Sequence, residues 1–368
     1  MNSSQESSNI KEVTVGLKVF VTLLTVPLSS IGAFGNLVVI AVVIKKRSLR
    51  TASNIFTVTL MGVSLVLCCH SYPLQLMIDL YFFTRQPWCF IVGSQLLAVS
   101  IHLSMCLLLT TVERYITICR PLQKDVILTP RKVILLVTAV LIYGGMIGTL
   151  GGLFWIGKGD LWHSSRRCNF SFIVPSRVFA LFLISNWLLP IPIMTMMYFH
   201  IFIVVRRHIR EIAALLPRDT NTTDAPEAFY PRPVPAISRT RSLEAAARQG
   251  SIRIQNVFKK KMKGRVMREA KSAFLLFVVV AVYIFNWVPF VIFLLTGVLS
   301  AENVPPEQYV LLHAFVYSCG VIAPYLYGFG NRKFRRSIQA MLLPRCCSTT
   351  ENAEDTLQTI SSREGGPM

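Results

Sequence analysis

Seven stretches of this chain are nearly free of charge and dense in Leu, Val, Ile and Phe: about 17–44, 53–80, 89–119, 133–156, 177–205, 270–298 and 308–329. About 20 residues at 1.5 Å rise cover a hydrocarbon core of roughly 30 Å, so each stretch reads as a membrane-spanning helix. The residues between them are not symmetric in charge. Lys45, Lys46 and Arg47 follow the first stretch, and Arg120, Lys124, Arg131 and Lys132 follow the third. A long basic segment follows the fifth, and Arg332, Lys333, Arg335 and Arg336 follow the seventh. The alternate loops are poorer in basic residues, Arg166 and Arg167 being exceptions. Lys and Arg near span ends mark the cytoplasmic side, so the N-terminus is expected outside the cell and the C-terminus inside. The pattern predicts an all-α membrane protein, a seven-transmembrane helix bundle. Residues 1–16 lie outside, 17–330 form the bundle with a basic loop over 206–268, 331–343 form a short amphipathic eighth helix, and 344–368 are a cytoplasmic tail.

Composition agrees with the pattern. The 368 residues are 53% hydrophobic and 15% charged, with mean hydropathy +0.53, whereas a soluble domain carries about a quarter charged residues. A net charge of +20 would suit nucleic acid, but the basic residues cluster between apolar stretches, so topology accounts for them. No nucleic-acid binding is expected. The first stretch exceeds the roughly 7–15 residues of a signal-peptide core and meets Lys45 at once, so it reads as a retained helix.

A few polar or bending positions interrupt the spans. Asn36, after Gly35, sits deep in the first, where an amide must find partners within the protein. Pro73 is expected to kink the second. The third begins at Cys89 and ends in Glu113-Arg114-Tyr115, 25 residues after that cysteine. An arginine in a water-poor place needs carboxylates, and Glu113 is its neighbour. The fifth span holds Pro190, Pro192 and Tyr198. The sixth carries Asn286-Trp287-Val288-Pro289-Phe290, and Pro289 removes a backbone hydrogen bond and bends the helix. The seventh ends Ala323-Pro324-Tyr325-Leu326-Tyr327.

In this register these motifs resemble the rhodopsin-like (class A) G-protein-coupled receptors, over nearly the whole chain outside the tails and the 206–268 loop. The departures suggest an atypical, orphan-type member. The resemblance implies a cell-surface receptor, multi-pass in the plasma membrane, that signals to heterotrimeric G proteins. It implies that Cys89 and Cys168 pair on the oxidising side, tying a loop to the top of the third span. It also implies a bridge from Arg114 to Glu269, 20 residues before Pro289, whose release lets the sixth span swing and opens a cytoplasmic cavity. Glu113, Arg114, Tyr115, Tyr198, Glu269, Tyr283, Trp287, Pro289, Pro324 and Tyr327 form the implied activation switch. Pro190 is the expected bulge of the fifth span, with Pro192 as the alternative.

The departures change the chemistry. Members of the family usually carry Asp where Ser64 stands and polar groups where Leu103 and Ala323 stand, and these together hold a sodium ion. A hard cation wants several oxygens with at least one anionic, so no sodium site is expected, and no other metal or cofactor. Asn286 replaces the family's Cys. The fourth span lacks the usual Trp and carries Gly144, Gly145, Gly151 and Gly152, which permit close helix contact. Losing both the Asp and the Asn predicts looser coupling of helices two and seven, and because an ion that favours the resting state cannot bind, appreciable ligand-free activity is expected.

The resemblance places Leu96, Ser100, Phe182, Asn186, Trp287, Phe290, His313 and Tyr317 around the ligand pocket. Amine receptors use an Asp where Leu96 stands, because a buried ammonium needs a counter-charge, so an amine is disfavoured. Tyr317 occupies the place of the retinal lysine, which excludes light sensing. An apolar cavity with a few hydrogen-bonding groups suits a lipid-like ligand or none. His313 is either a pH-sensitive contact or a satisfied neutral histidine.

The remaining signals are peripheral. Asn2 and Asn169 begin glycosylation sequons, and Cys346 and Cys347 follow the amphipathic helix as palmitoylation candidates. Ile254, Phe258, Met262 and Val266 recur among lysines, a basic amphipathic extension of helix six that suits anionic lipid, a G protein, calmodulin or a plain membrane surface. The Ser- and Thr-rich tail suits receptor kinases and arrestin. A transporter would show repeats or midplane carboxylates, and neither is evident. A non-signalling seven-helix partner of other receptors remains a competing class. No catalytic constellation stands out, so no enzyme is read.

Overall fold

The computed structural model describes residues 13–81, 86–156, 181, 185–214, 264, 266–267, 269–293, 295–296, 306–330 and 332–342. Six helices within them are long and apolar enough to cross a membrane. The first span is Val15–Lys45. The second runs Ala52–Val66, passes through a π-helical turn at Leu67–Ser71 and continues as Tyr72–Tyr81. The third is Gln86–Cys119, followed by the loop helix Lys124–Ile127 and the fourth span Pro130–Ile156. The fifth covers Ser185–Glu211 and the sixth Glu269–Phe293. The seventh is the shorter apolar helix, Pro306–Tyr317 and Cys319–Gly330 interrupted at Ser318. An amphipathic helix, Arg332–Leu342, follows it.

The bundle inverts the soluble pattern. Outward-facing side chains such as Leu23, Leu135, Met196, Phe199 and Phe285 are exposed, while Asn36, Ser64, Ser104, Asn286 and His313 are buried. Apolar groups meet lipid without cost, whereas a polar group there loses its hydrogen bonds. The amphipathic helix buries Phe334 and Ser337 and leaves Arg335 and Arg336 exposed.

Irregularities in the spans have identifiable causes. The π turn of the second span ends two residues before Pro73, the position expected to bend it, and such turns widen a helix locally. The Cys68 carbonyl in that turn accepts a hydrogen bond from Ser29 Oγ of the first span. In the fifth span the helix is interrupted at Leu189, whose N–H still donates to the Ser185 carbonyl at 2.8 Å, and a new helix starts on Pro190, not Pro192. Proline suits a first helical position because its missing N–H would lack a partner there anyway.

Glycine sets the spacing of the third and fourth spans at two positions. A Cβ on Gly148 would lie 2.6 Å from the Ser94 carbonyl oxygen and 2.7 Å from Ala98 Cβ, and one on Gly144 would meet the His102 ring. Gly145 faces open space instead.

Candidate functional site

Glu113 and Arg114 follow each other at the end of the third span, where the helix turns them toward different neighbours. The Glu113 carboxylate is wholly buried. Its Oε1 accepts hydrogen bonds from Ser53 Oγ of the second span at 2.6 Å and from Thr117 Oγ1 at 2.9 Å. Lys124 Nζ of the loop helix stands 3.8 Å from the same oxygen. Oε2 faces Arg114 Nε at 3.1 Å. A buried carboxylate is tolerable only with such donors around it.

Arg114 reaches outward from there. Its Nη1 is 3.9 Å from Glu269 Oε2 at the start of the sixth span. The arginine side chain is 10% exposed and that of Glu269 is 43% exposed. The structure thus brings together Glu113, Arg114 and Glu269, joined by Ser53, Thr117 and Lys124, which the motif spacing did not indicate. Tyr115 packs beside His200 with ring centroids 5.5 Å apart, and the buried Tyr198 meets Phe277 of the sixth span edge-on at 5.5 Å.

Deeper in the bundle the pocket candidates form a packed aromatic series. Trp287 lies 5.4 Å from Trp187, 5.8 Å from Tyr283 and 6.0 Å from Phe290. Phe290 continues to His313 at 5.0 Å, His313 to Tyr317 at 6.0 Å, and Tyr317 stacks on Tyr72 at 4.8 Å. Tyr143 of the fourth span donates its hydroxyl to Asn186 Oδ1, and Ser100 Oγ is turned onto the Leu96 carbonyl at 2.5 Å. Leu96 packs against the core. A narrow crevice between the first, second and seventh spans is lined by Val21, Tyr72, Gln75, His313, Ala314 and Tyr317, among others.

Two amides hold the seventh span. Asn36 Nδ2 donates to the carbonyls of Gly32 at 2.8 Å and Gly320 at 3.1 Å. Asn286 Nδ2 donates to the Phe315 carbonyl at 2.9 Å and to Ser318 Oγ at 2.8 Å, at the helix interruption. Ser318 escaped the motif reading and Asn286 entered it only as a replacement for the family's Cys, although a buried amide in hydrocarbon is itself the signal that a partner exists. Ser64, Leu103 and Ala323 are all buried, and Pro324 packs near Gly35, whose added Cβ would lie 3.0 Å from its ring.

Phe182, Cys168, Asn2, Asn169, Cys346 and Cys347 lie outside the described residues, as do the side chains of Cys89 and Tyr327 and all of the basic extension except positions 264, 266 and 267. Among the described residues no group of three or more His, Cys, Asp or Glu is placed to hold a metal ion.

Comparison with known proteins decides the family. The profile of the 7 transmembrane receptor (rhodopsin family) matches residues 35–327. The chain belongs to the rhodopsin family of seven-transmembrane receptors. The receptor is 24% identical over 356 residues to the alpha-1A adrenergic receptor of Oryzias latipes, covering 95% of this chain and 70% of that one. It is 24% identical to the alpha-1D adrenergic receptor of Rattus norvegicus, covering 85% of this chain and 55% of that protein. With the octopamine receptor beta-2R of Chilo suppressalis it shares 23% identity, covering 98% and 88%. The receptor is therefore a multi-pass membrane protein of the class that signals through G proteins, and not an enzyme.

Proposed function

We propose that this receptor signals appreciably without a bound ligand, its sixth span swinging from Arg114 to bare a cavity for a heterotrimeric G protein. In this reading the N-terminus is extracellular and the C-terminus cytoplasmic, where receptor kinases and arrestin read the tail. The observation that carries it is the inequality of the two ion pairs of Arg114. The pair within the third span is close and buried at 3.1 Å, while the pair that ties the third span to the sixth is 3.9 Å and reaches a 43% exposed carboxylate. Exposed ion pairs contribute about 0–1 kcal/mol, so this tie biases the bundle only weakly toward its closed form. In this reading Pro289, which removes a backbone hydrogen bond, supplies the hinge. Ser64, Leu103 and Ala323 supply no anionic oxygen for an ion that would favour the resting state.

The adrenergic and octopamine relatives are named for amines, yet this receptor has Leu96 where amine receptors carry the counter-charge. A neutral, apolar ligand or none fits the aromatic interior. Cys89–Cys168 pairing, glycosylation at Asn2 and Asn169, and palmitoylation at Cys346 and Cys347 belong to the same reading.

The test is second-messenger output of cells expressing the receptor without ligand, at surface levels matched to an Arg114→Ala control, which in this reading lacks the guanidinium that the bared cavity presents to the G protein. Output above the control supports the proposal. Output equal to it removes ligand-free signalling and favours a non-signalling partner of other receptors.

A further inference from the structure

We infer that His70 and Gln95 hold the hydroxyl group of a membrane sterol on the lipid-facing side of the second and third spans. Polar side chains within a span ordinarily turn inward, as Asn36, Asn286 and His313 do here. His70 does not. It stands on the exposed stripe of the second span with Val66, Cys69 and Pro73. It also lies in the π-helical turn Leu67–Ser71, an irregularity of a kind that recurs at functional sites. Gln95 of the third span is half-buried and meets it there. The Gln95 Nε2 group donates to His70 Nδ1 and, at 3.3 Å, to Ser71 Oγ.

That contact leaves two groups over. With Nδ1 accepting, the ring hydrogen of His70 is on Nε2, and Gln95 keeps Oε1 as an acceptor. Neither makes another side-chain hydrogen bond among the described residues. Exchanging the roles of ring and amide again leaves one donor and one acceptor. Hydrocarbon offers no water to satisfy them. A phospholipid ester carbonyl only accepts and matches the donor alone, whereas a hydroxyl donates and accepts and matches both. A sterol carries such a hydroxyl on an apolar body. The depth agrees: Gln95 is four residues in from Ile91, where the third span begins, so it lies about 6 Å from the end of the bundle away from Arg114. From His70 toward the other end the stripe continues as Cys69, Val66 and Gly62, and Gly62 faces open space. Small side chains over about 12 Å give a flat strip for the sterol rings. This site lies apart from the interior aromatic series and does not depend on ligand-free signalling.

The test uses the full-length receptor in phosphatidylcholine nanodiscs and a diazirine-bearing cholesterol analogue with a free hydroxyl, the cross-linked residues being located by mass spectrometry. In the wild type, labelling is expected on the second span between Gly62 and Met77 or on the third between Ile91 and Ala98. Cholesterol is expected to compete. Cholesterol methyl ether, which cannot donate, is expected to compete about three- to tenfold less well, the worth of one hydrogen bond in a membrane. His70→Phe and Gln95→Leu are expected to weaken labelling by a similar factor while keeping the melting temperature in sterol-free nanodiscs. His70→Asn, which retains a donor and an acceptor, is expected to keep the labelling. Labelling confined to other faces, equal competition by the methyl ether, or His70→Phe and Gln95→Leu variants that label like the wild type would each overturn the site.

Discussion

Asn286 of the sixth span donates an amide hydrogen to Ser318 Oγ at 2.8 Å, at the point where the seventh span is interrupted. Ser318 Oγ donates in turn to the Phe315 carbonyl at 2.7 Å, which Asn286 also reaches at 2.9 Å. One residue before Trp287, this amide makes the sixth and seventh spans a mechanical unit at the level of the aromatic series. Asn286→Ala is expected to lower the stability of the purified receptor by about 1 kcal/mol, interhelical hydrogen bonds in membranes ranging from roughly 0.6 to 2. Ser318→Ala is expected to cost less, because the Asn286 contact to Phe315 survives. Thermal melting in detergent ranks the two, and the reverse order would contradict the assignment.

Ser53 and Lys124 both address Glu113 Oε1 but are not equivalent. Ser53 donates a 2.6 Å hydrogen bond to a buried charge, while Lys124 is 3.8 Å away and 32% exposed. Hydrogen bonds to charged groups contribute about 1.5–3 kcal/mol, and part-exposed ion pairs about 0–1. Ser53→Ala is therefore expected to destabilise the receptor more than Lys124→Ala, as read by melting temperature.

The fourth span separates contact glycines from spectators. Gly148→Ala drives a methyl against the Ser94 backbone, 2.6 Å away, and is expected to cost about 1–3 kcal/mol. Gly145→Ala meets nothing within 4 Å and is expected to be neutral or to stabilise the helix by up to about 1 kcal/mol. Equal effects on melting would contradict the packing.

Octopamine is expected to leave second-messenger output unchanged, since Leu96 offers no counter-charge for an ammonium. A saturable response would overturn the exclusion of amines.

Much of this was legible in the sequence. Seven apolar stretches bounded by Lys and Arg are dictated by the thickness of a bilayer, and the 20-residue interval from Glu269 to Pro289 picked out the carboxylate that faces Arg114. The partners of Glu113 were not legible. Ser53 lies 60 positions away, and bringing them together depends on how the second span is rotated about its axis, which apolar composition on every face leaves open. The same ambiguity hid which glycines of the fourth span make contact: Gly145 stood out in the run yet faces open space, while Gly148 carries the contact. Interruption at Ser318 was masked because no proline marks it. Asn286, noted only as a replacement for the family's Cys, is the buried amide whose need for partners leads there.

The central claim is that the tie between the third and sixth spans is weak. Its most direct test is ligand-free second-messenger output from the wild type, Arg114→Ala and Glu269→Ala at matched surface expression. The wild type is expected above Arg114→Ala. Glu269→Ala is expected to raise output less than about fivefold, the factor that a pair of at most about 1 kcal/mol allows. A wild type no higher than Arg114→Ala, or a Glu269→Ala increase well beyond tenfold, would contradict the account.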